Sequence, residues 1–66
     1  MGLTFGESIK KRRIEKGLTQ EEMARNFKVS QTYWSLIERD ISKPFKLCYQ
    51  ICKELGISFK YLDVMK

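Results

Sequence analysis

A short segment near the middle of the chain carries side chains that could form hydrogen bonds and apolar contacts with a ligand. Such a ligand would present hydrogen-bond donors, hydrogen-bond acceptors and methyl groups. The amide of Gln31 offers one acceptor and two donors, which fits bidentate pairing with N6 and N7 of adenine. Thr32 could bond to a base edge or contact a thymine methyl group, whereas Leu36 could make only the methyl contact. These residue types can therefore recognise a ligand through hydrogen bonds and apolar contacts.

The same segment has a helical spacing that separates these side chains from an apolar face. At about 100° per residue, Trp34 and Ile37 share the inner face of a helix. The residues that project away from that face are Thr32, Ser35, Leu36 and Arg39.

Residue types suited to catalysis or metal binding are scarce. The sequence has no histidine, two cysteines, no glycine-rich phosphate loop and no cluster of metal ligands. Cys48 and Cys52 lie one helical turn apart with parallel side chains, so a disulfide between them would be strained. We interpret them as reduced core residues, and we predict no enzymatic activity, no metal and no cofactor.

Length and charge limit the class of protein. Sixty-six residues, 42% of them hydrophobic, allow one compact domain, and a net charge of +5 favours nucleic acid or an acidic membrane as partner. No stretch approaches the roughly 18 apolar residues of a membrane span, and the N-terminus lacks the apolar core of a signal peptide. We therefore expect a cytoplasmic, nucleoid-associated domain with no membrane partner and no small-molecule ligand.

Helix starts are marked by capping residues. Thr4 and Thr19 are each followed three residues later by Glu, which is the capping-box pattern. Ser30 and Ser58 are further N-cap candidates, and Pro44 suits the first turn of a helix because its missing N–H would have no partner there.

Helix ends are marked by glycine. Gly17 and Gly56 follow periodic segments, as expected for residues that adopt a left-handed conformation just past a helix. No segment alternates with the period of a strand. We predict an all-α fold, a compact single domain over 1–66 with five short helices at about 5–16, 20–27, 31–40, 45–55 and 59–64.

Residues 20–39 combine a capped helix, a turn at Phe27-Lys28-Val29 and a second capped helix. Residues 17–24 and 29–39, which include the two helices of this stretch, resemble the Cro/CI-type helix-turn-helix family, also called lambda-repressor-like or xenobiotic-response-element regulators. The similarity runs from Ile9 to Leu62. It implies a five-helix lambda-repressor-like fold and a prokaryotic or phage transcriptional regulator, usually a repressor, whose helix at about 31–40 enters the major groove of double-stranded DNA.

The resemblance also assigns roles to individual residues. Gln20 opens the first helix of the motif, where the positive end of the helix dipole attracts a phosphate oxygen. Arg13 is expected to pair with Glu38 and so to fix the angle of the reading helix, which is the helix at about 31–40. The predicted base contacts are Gln31, Thr32, Ser35 and Leu36, and the predicted phosphate contacts are Gln20, Tyr33, Arg39, Lys43 and Lys46.

The sequence departs from the family pattern around the reading helix. Lys28 and Asp40 stand where glycine is usual, and a left-handed residue other than glycine costs about 1 kcal/mol. The loop before the fourth helix is also one residue short.

The C-terminal run is too apolar for a short helix that faces solvent. A two-fold contact through 57–66 would cover it and place two reading helices about 34 Å apart, which matches a palindromic operator. We predict a homodimer through this segment, and the alternative is that the segment completes the monomer core. The predicted interface residues are Phe59, Tyr61, Val64 and Met65.

A second class of function stays open at this point. An antitoxin or antirepressor that binds a protein partner would use the same scaffold. The sequence leaves the operator, the sign of regulation and the phage, restriction-modification or toxin–antitoxin context undetermined.

Overall fold

The computed structural model describes residues 3–57, which form four α-helices. They are α1 (Phe5–Glu15), α2 (Gln20–Asn26), α3 (Gln31–Glu38) and α4 (Cys48–Leu55). No strand occurs among these residues, so the all-helical prediction is confirmed, and residues 3–57 hold four of the five predicted helices. The predicted fifth helix at 59–64 and its cap at Ser58 lie outside the described residues.

The first three helices begin where the capping residues predict. The Thr4 hydroxyl accepts the N–H of Glu7 at 3.1 Å, and the Glu7 carboxylate accepts the N–H of Thr4 at 2.9 Å. Thr19 and Glu22 form the same box at 3.1 and 2.8 Å. Ser30 caps α3 by accepting the N–H three residues later at 3.0 Å. These bonds satisfy amides that have no partner inside the helix.

The fourth helix begins at Cys48, three residues later than predicted. Pro44 does not occupy its first turn, because the Pro44 carbonyl accepts the N–H of Leu47 at 3.0 Å and closes a tight turn before the helix. Leu47 is the N-cap residue and offers no side-chain hydrogen bond, so the true start has no polar signal in the sequence.

The helix ends follow the positive-φ residues. Gly17 and Gly56 have φ of 72° and 69° after α1 and α4, as predicted. Lys28 and Asp40 take the same conformation with φ of 57° and 61°. Since Asp40 leaves the helical region, α3 ends at Glu38, two residues earlier than predicted.

The core lies where the four helices meet. Trp34 is completely buried at its centre and stacks on Phe27 with ring centroids 5.5 Å apart. Ile41 and Phe45 are 59% and 43% exposed, because the left-handed turn at Asp40 ends α3 before them and α4 begins only at Cys48. The buried apolar residues are Phe5, Ile9, Met23, Ala24, Trp34, Ile37, Cys48, Ile51, Cys52 and Leu55.

Both cysteines are core thiols on α4. Burial raises the pKa of the Cys48 thiol above its ordinary value of 9.0, and a hydrogen bond with Cys52 partly offsets the shift.

Within 3–57, no helix is long and apolar enough to cross a membrane.

Candidate nucleic-acid interface

Helices α2 and α3 form a compact pair joined by a four-residue turn. Lys28 takes the left-handed conformation in this turn, and the N–H of Val29 donates to the carbonyl of Ala24 at 2.9 Å. The buried side chains of α2 and α3 face each other and the core, so one face of α3 remains outside.

The outer face of α3 carries the four predicted base-reading residues. Gln31 and Thr32 in its first turn are exposed, and Ser35 and Leu36 behind them are half-buried. The start of α2 lies beside this face, so that one shallow surface depression combines both helices. Its lining residues are Gln20, Gln31, Thr32, Ser35, Leu36 and Arg39.

The other predicted phosphate contacts lie outside this depression. Tyr33 is half-buried and packs against the core. Lys46 is exposed, whereas Lys43 is half-buried, with its Nζ 4.0 Å from Oδ1 of Asp40.

On the opposite face of α3, Glu38 is buried and bound by Arg13. The Nε of Arg13 donates to Oε2 of Glu38 at 2.6 Å, and Nη2 donates to Oε1 at 3.2 Å. The same guanidinium donates to the Leu18 carbonyl at 2.8 Å. The ion pair therefore joins α1 to the last residue of α3 in a shielded, bidentate geometry.

Two further donors to Glu38 are not apparent from the pairing with Arg13 alone. The indole Nε1 of Trp34 donates to Oε2 at 2.6 Å, and the amide nitrogen of Gln20 donates to Oε1 at 3.0 Å. The spacing of four between Trp34 and Glu38, together with the need of a buried indole for a partner, is the signal that could have identified the first bond. The second bond turns the amide nitrogen of Gln20 toward the core, away from a ligand.

Asp40 makes contacts that its sequence position does not suggest. It follows α3 directly, yet its carboxylate accepts the N–H of Gly6 at 2.9 Å and the hydroxyl of Thr4 at 2.6 Å. These partners open α1, more than thirty residues earlier. No local pattern marks this contact.

The predicted dimer interface, Phe59, Tyr61, Val64 and Met65, lies outside the described residues.

A capped α2, a left-handed turn and an α3 whose inner face bonds to the core together form a helix-turn-helix motif. Residues 9–62 match the model of the helix-turn-helix family, and the chain belongs to that family in its Cro/CI-type form. A similar protein is YqaF of Bacillus subtilis (strain 168), named an uncharacterized HTH-type transcriptional regulator, with 44% identity over 48 residues. The match covers 73% of the chain and 59% of YqaF, so the chain spans about three fifths of that relative. No solved structure matches the chain significantly.

Proposed function

We propose that this protein is a DNA-binding transcriptional regulator, a repressor and not an enzyme, that inserts α3 into the major groove of double-stranded DNA. Membership of the helix-turn-helix family and the similarity to YqaF support this function. The observation that carries it is the division of α3 into two faces. Trp34, Ile37 and Glu38 are buried on one face, while Gln31 and Thr32 are exposed on the other.

The dimensions and chemistry of α3 suit this role. An α-helix with its side chains is about 10–12 Å across, and the major groove is about 12 Å wide. Gln31 would pair with adenine, Thr32 and Ser35 would bond to base edges, and Leu36 would contact a thymine methyl group.

Phosphate contacts would supply most of the affinity. The net charge of +5 attracts the duplex, and the basic residues Arg39, Lys43 and Lys46 follow the base-reading face. The backbone N–H of Gln20 at the start of α2 and the hydroxyl of Tyr33 in the first turn of α3 would add contacts. These contacts position the protein, whereas the α3 side chains select the sequence.

Dimer formation through 57–66 belongs to the same proposal. A two-fold pair would present two copies of α3 to a palindromic operator with half-sites one DNA turn apart. We expect sedimentation to detect dimers of concentrated protein on operator DNA, and we expect Tyr61→Glu to weaken operator binding. Monomers alone, combined with unchanged binding by Tyr61→Glu, would contradict the dimer.

Selection of bound duplexes from a random pool tests the function itself. We expect enrichment of one sequence with two-fold symmetry. The logarithm of its binding constant should fall against the logarithm of salt concentration with a slope of about −0.9 for each phosphate neutralised. Recovery of the pool without enrichment, or binding that does not respond to salt, would contradict a sequence-specific regulator.

A further inference from the structure

Asp40 ties the end of α3 to the start of α1. Its Oδ1 accepts the N–H of Gly6 at 2.9 Å, and its Oδ2 accepts the hydroxyl of Thr4 at 2.6 Å. Gly6 is the second residue of α1, so its N–H has no acceptor within the helix. Asp40 therefore acts as a cap for α1 supplied by a residue 34 positions away.

The two helices approach each other too closely for a side chain at Gly6. A Cβ atom there would lie 2.6 Å from the carbonyl oxygens of Ile37 and Glu38 and 2.9 Å from Oδ1 of Asp40. The last turn of α3 consequently rests on the backbone of α1, and the Asp40 contact holds it there.

This contact is the second of two attachments between α3 and α1. The first is the ion pair of Glu38 with Arg13, and the second joins Asp40 to Gly6. At 1.5 Å per residue, Gly6 and Arg13 lie roughly 10 Å apart along α1. Two attachments separated along α1 add to the packing of α3 in the core and constrain its C-terminal end more tightly than either attachment alone.

A need for the turn alone does not explain aspartate at this position. Glycine would adopt φ of 61° without strain, and a carboxylate beside a surface that binds phosphates opposes binding. The Asp40 carboxylate instead faces the positive N-terminal end of α1 and the Nζ of Lys43 at 4.0 Å. The contact with α1 is what distinguishes aspartate from glycine here.

We propose that Asp40 is a positioning residue for DNA reading, which holds the C-terminal end of α3 through Gly6 and Thr4 so that its base-facing side chains enter the groove at one angle. This inference rests on the proposed function of α3. Asp40 acts through the orientation of the helix and needs no contact with DNA.

The test compares Asp40→Gly with Asp40→Asn in the full chain. Both variants remove the same negative charge, so the electrostatic gain toward phosphates is equal. Asparagine keeps an acceptor for the N–H of Gly6 and has an amide that donates to the Thr4 hydroxyl oxygen, whereas glycine keeps neither. Affinity is measured at one salt concentration for the duplex selected from a random pool and for a random duplex of equal length.

We expect Asp40→Asn to keep the ratio of specific to random affinity within about twofold of the wild type, and Asp40→Gly to lower it about tenfold, the loss typical of one base contact. The Gly6 amide should also exchange its hydrogen faster in Asp40→Gly than in Asp40→Asn without DNA. Equal affinity ratios in the two variants, or equal exchange at Gly6, would overturn the proposal. A wild type without preference for any sequence would contradict the proposed function instead.

A second pair of variants keeps the test decisive if Asp40→Gly does not fold. Thr4→Ser retains the hydroxyl that donates to Asp40 and accepts the N–H of Glu7, and Thr4→Ala removes both bonds. Glu7→Ala, which breaks the capping box but keeps the Thr4 hydroxyl, controls for the loss of capping and should leave the affinity ratio unchanged. The affinity ratio should fall in Thr4→Ala and persist in Thr4→Ser. The same ratio in both would overturn the positioning role.

Discussion

The guanidinium of Arg13 and the carboxylate of Glu38 form a bidentate ion pair, with 2.6 Å from Nε to Oε2 and 3.2 Å from Nη2 to Oε1. The side chain of Glu38 is 1% exposed and that of Arg13 is 11% exposed. A buried carboxylate must keep its cation, because an unpaired charge in the core is far more costly than a surface charge. This pair therefore makes the orientation of α3 depend on α1.

Arg13→Ala should lower the free energy of unfolding by about 3–5 kcal/mol, because Glu38 would remain buried without a cation. The free energy of unfolding of a small domain can be as low as about 5 kcal/mol, so much of the variant should be unfolded at 25 °C. Urea denaturation followed by circular dichroism measures the loss. Lys10→Ala, at an exposed position of the same helix, is the control and should change stability by less than about 0.5 kcal/mol. A similarly small change in Arg13→Ala would contradict the structural role of the pair.

Gly6→Ala should also destabilise the domain, although alanine is the better helix former by about 1 kcal/mol. The added Cβ would overlap the carbonyl oxygens of Ile37 and Glu38 at 2.6 Å, and such overpacking costs about 1–3 kcal/mol. Gly17→Ala provides a comparison, since its Cβ would meet nothing within 4 Å and only its φ of 72° opposes the change. The melting temperatures of the two variants separate the effect of steric overlap at position 6 from the effect of backbone strain at position 17. An unchanged or raised melting temperature in Gly6→Ala would show that α1 and α3 are not in backbone contact.

Glu22 should make the stability of α2 depend on pH in the acid range. The hydrogen bond from the backbone N–H of Thr19, then that from the Thr19 hydroxyl, and to a smaller extent the charge of Arg25, lower the pKa of Glu22 below its ordinary value of 4.5. A lowered folded-state pKa means that the contribution is present above 4.5 and is lost as the pH falls through the folded-state value.

The difference in unfolding free energy between the wild type and Glu22→Ala should therefore shrink from neutral pH to about pH 3. Glu21→Ala, which removes an exposed carboxylate outside the capping box, is the matched control and should show a smaller loss at neutral pH. A pH-independent difference for Glu22→Ala would mean that its carboxylate does not cap α2.

Local polar patterns predicted the helix starts of α1, α2 and α3, because capping depends on residues three apart in the sequence. Thr4, Thr19 and Ser30 each make the expected bond. The predicted start of α4 was wrong by three residues, because Leu47 caps the helix without a polar side chain and a turn at Pro44 precedes it.

Contacts between distant residues were predictable only where the family pattern or a local spacing pointed to them. The expected partnership of Arg13 with Glu38 came from the resemblance, and the bonds of Gln20 to Glu38 and of Thr4 to Asp40 had no such signal. They arise from how helices pack, which depends on the shape of the whole core. The outward orientation of Gln31 followed from helical geometry once Trp34 was placed inside.

Whether α3 reads the DNA sequence is tested by the affinity of Gln31→Ala for the selected duplex and for a random duplex. Gln50→Ala, an exposed glutamine on α4, is the control of the same residue type. We predict that Gln31→Ala loses about 1–3 kcal/mol of binding free energy on the selected duplex with little change on the random one. Gln50→Ala should change the affinity for neither duplex. Equal losses of affinity by Gln31→Ala on both duplexes, or no loss on either, would contradict base reading by α3.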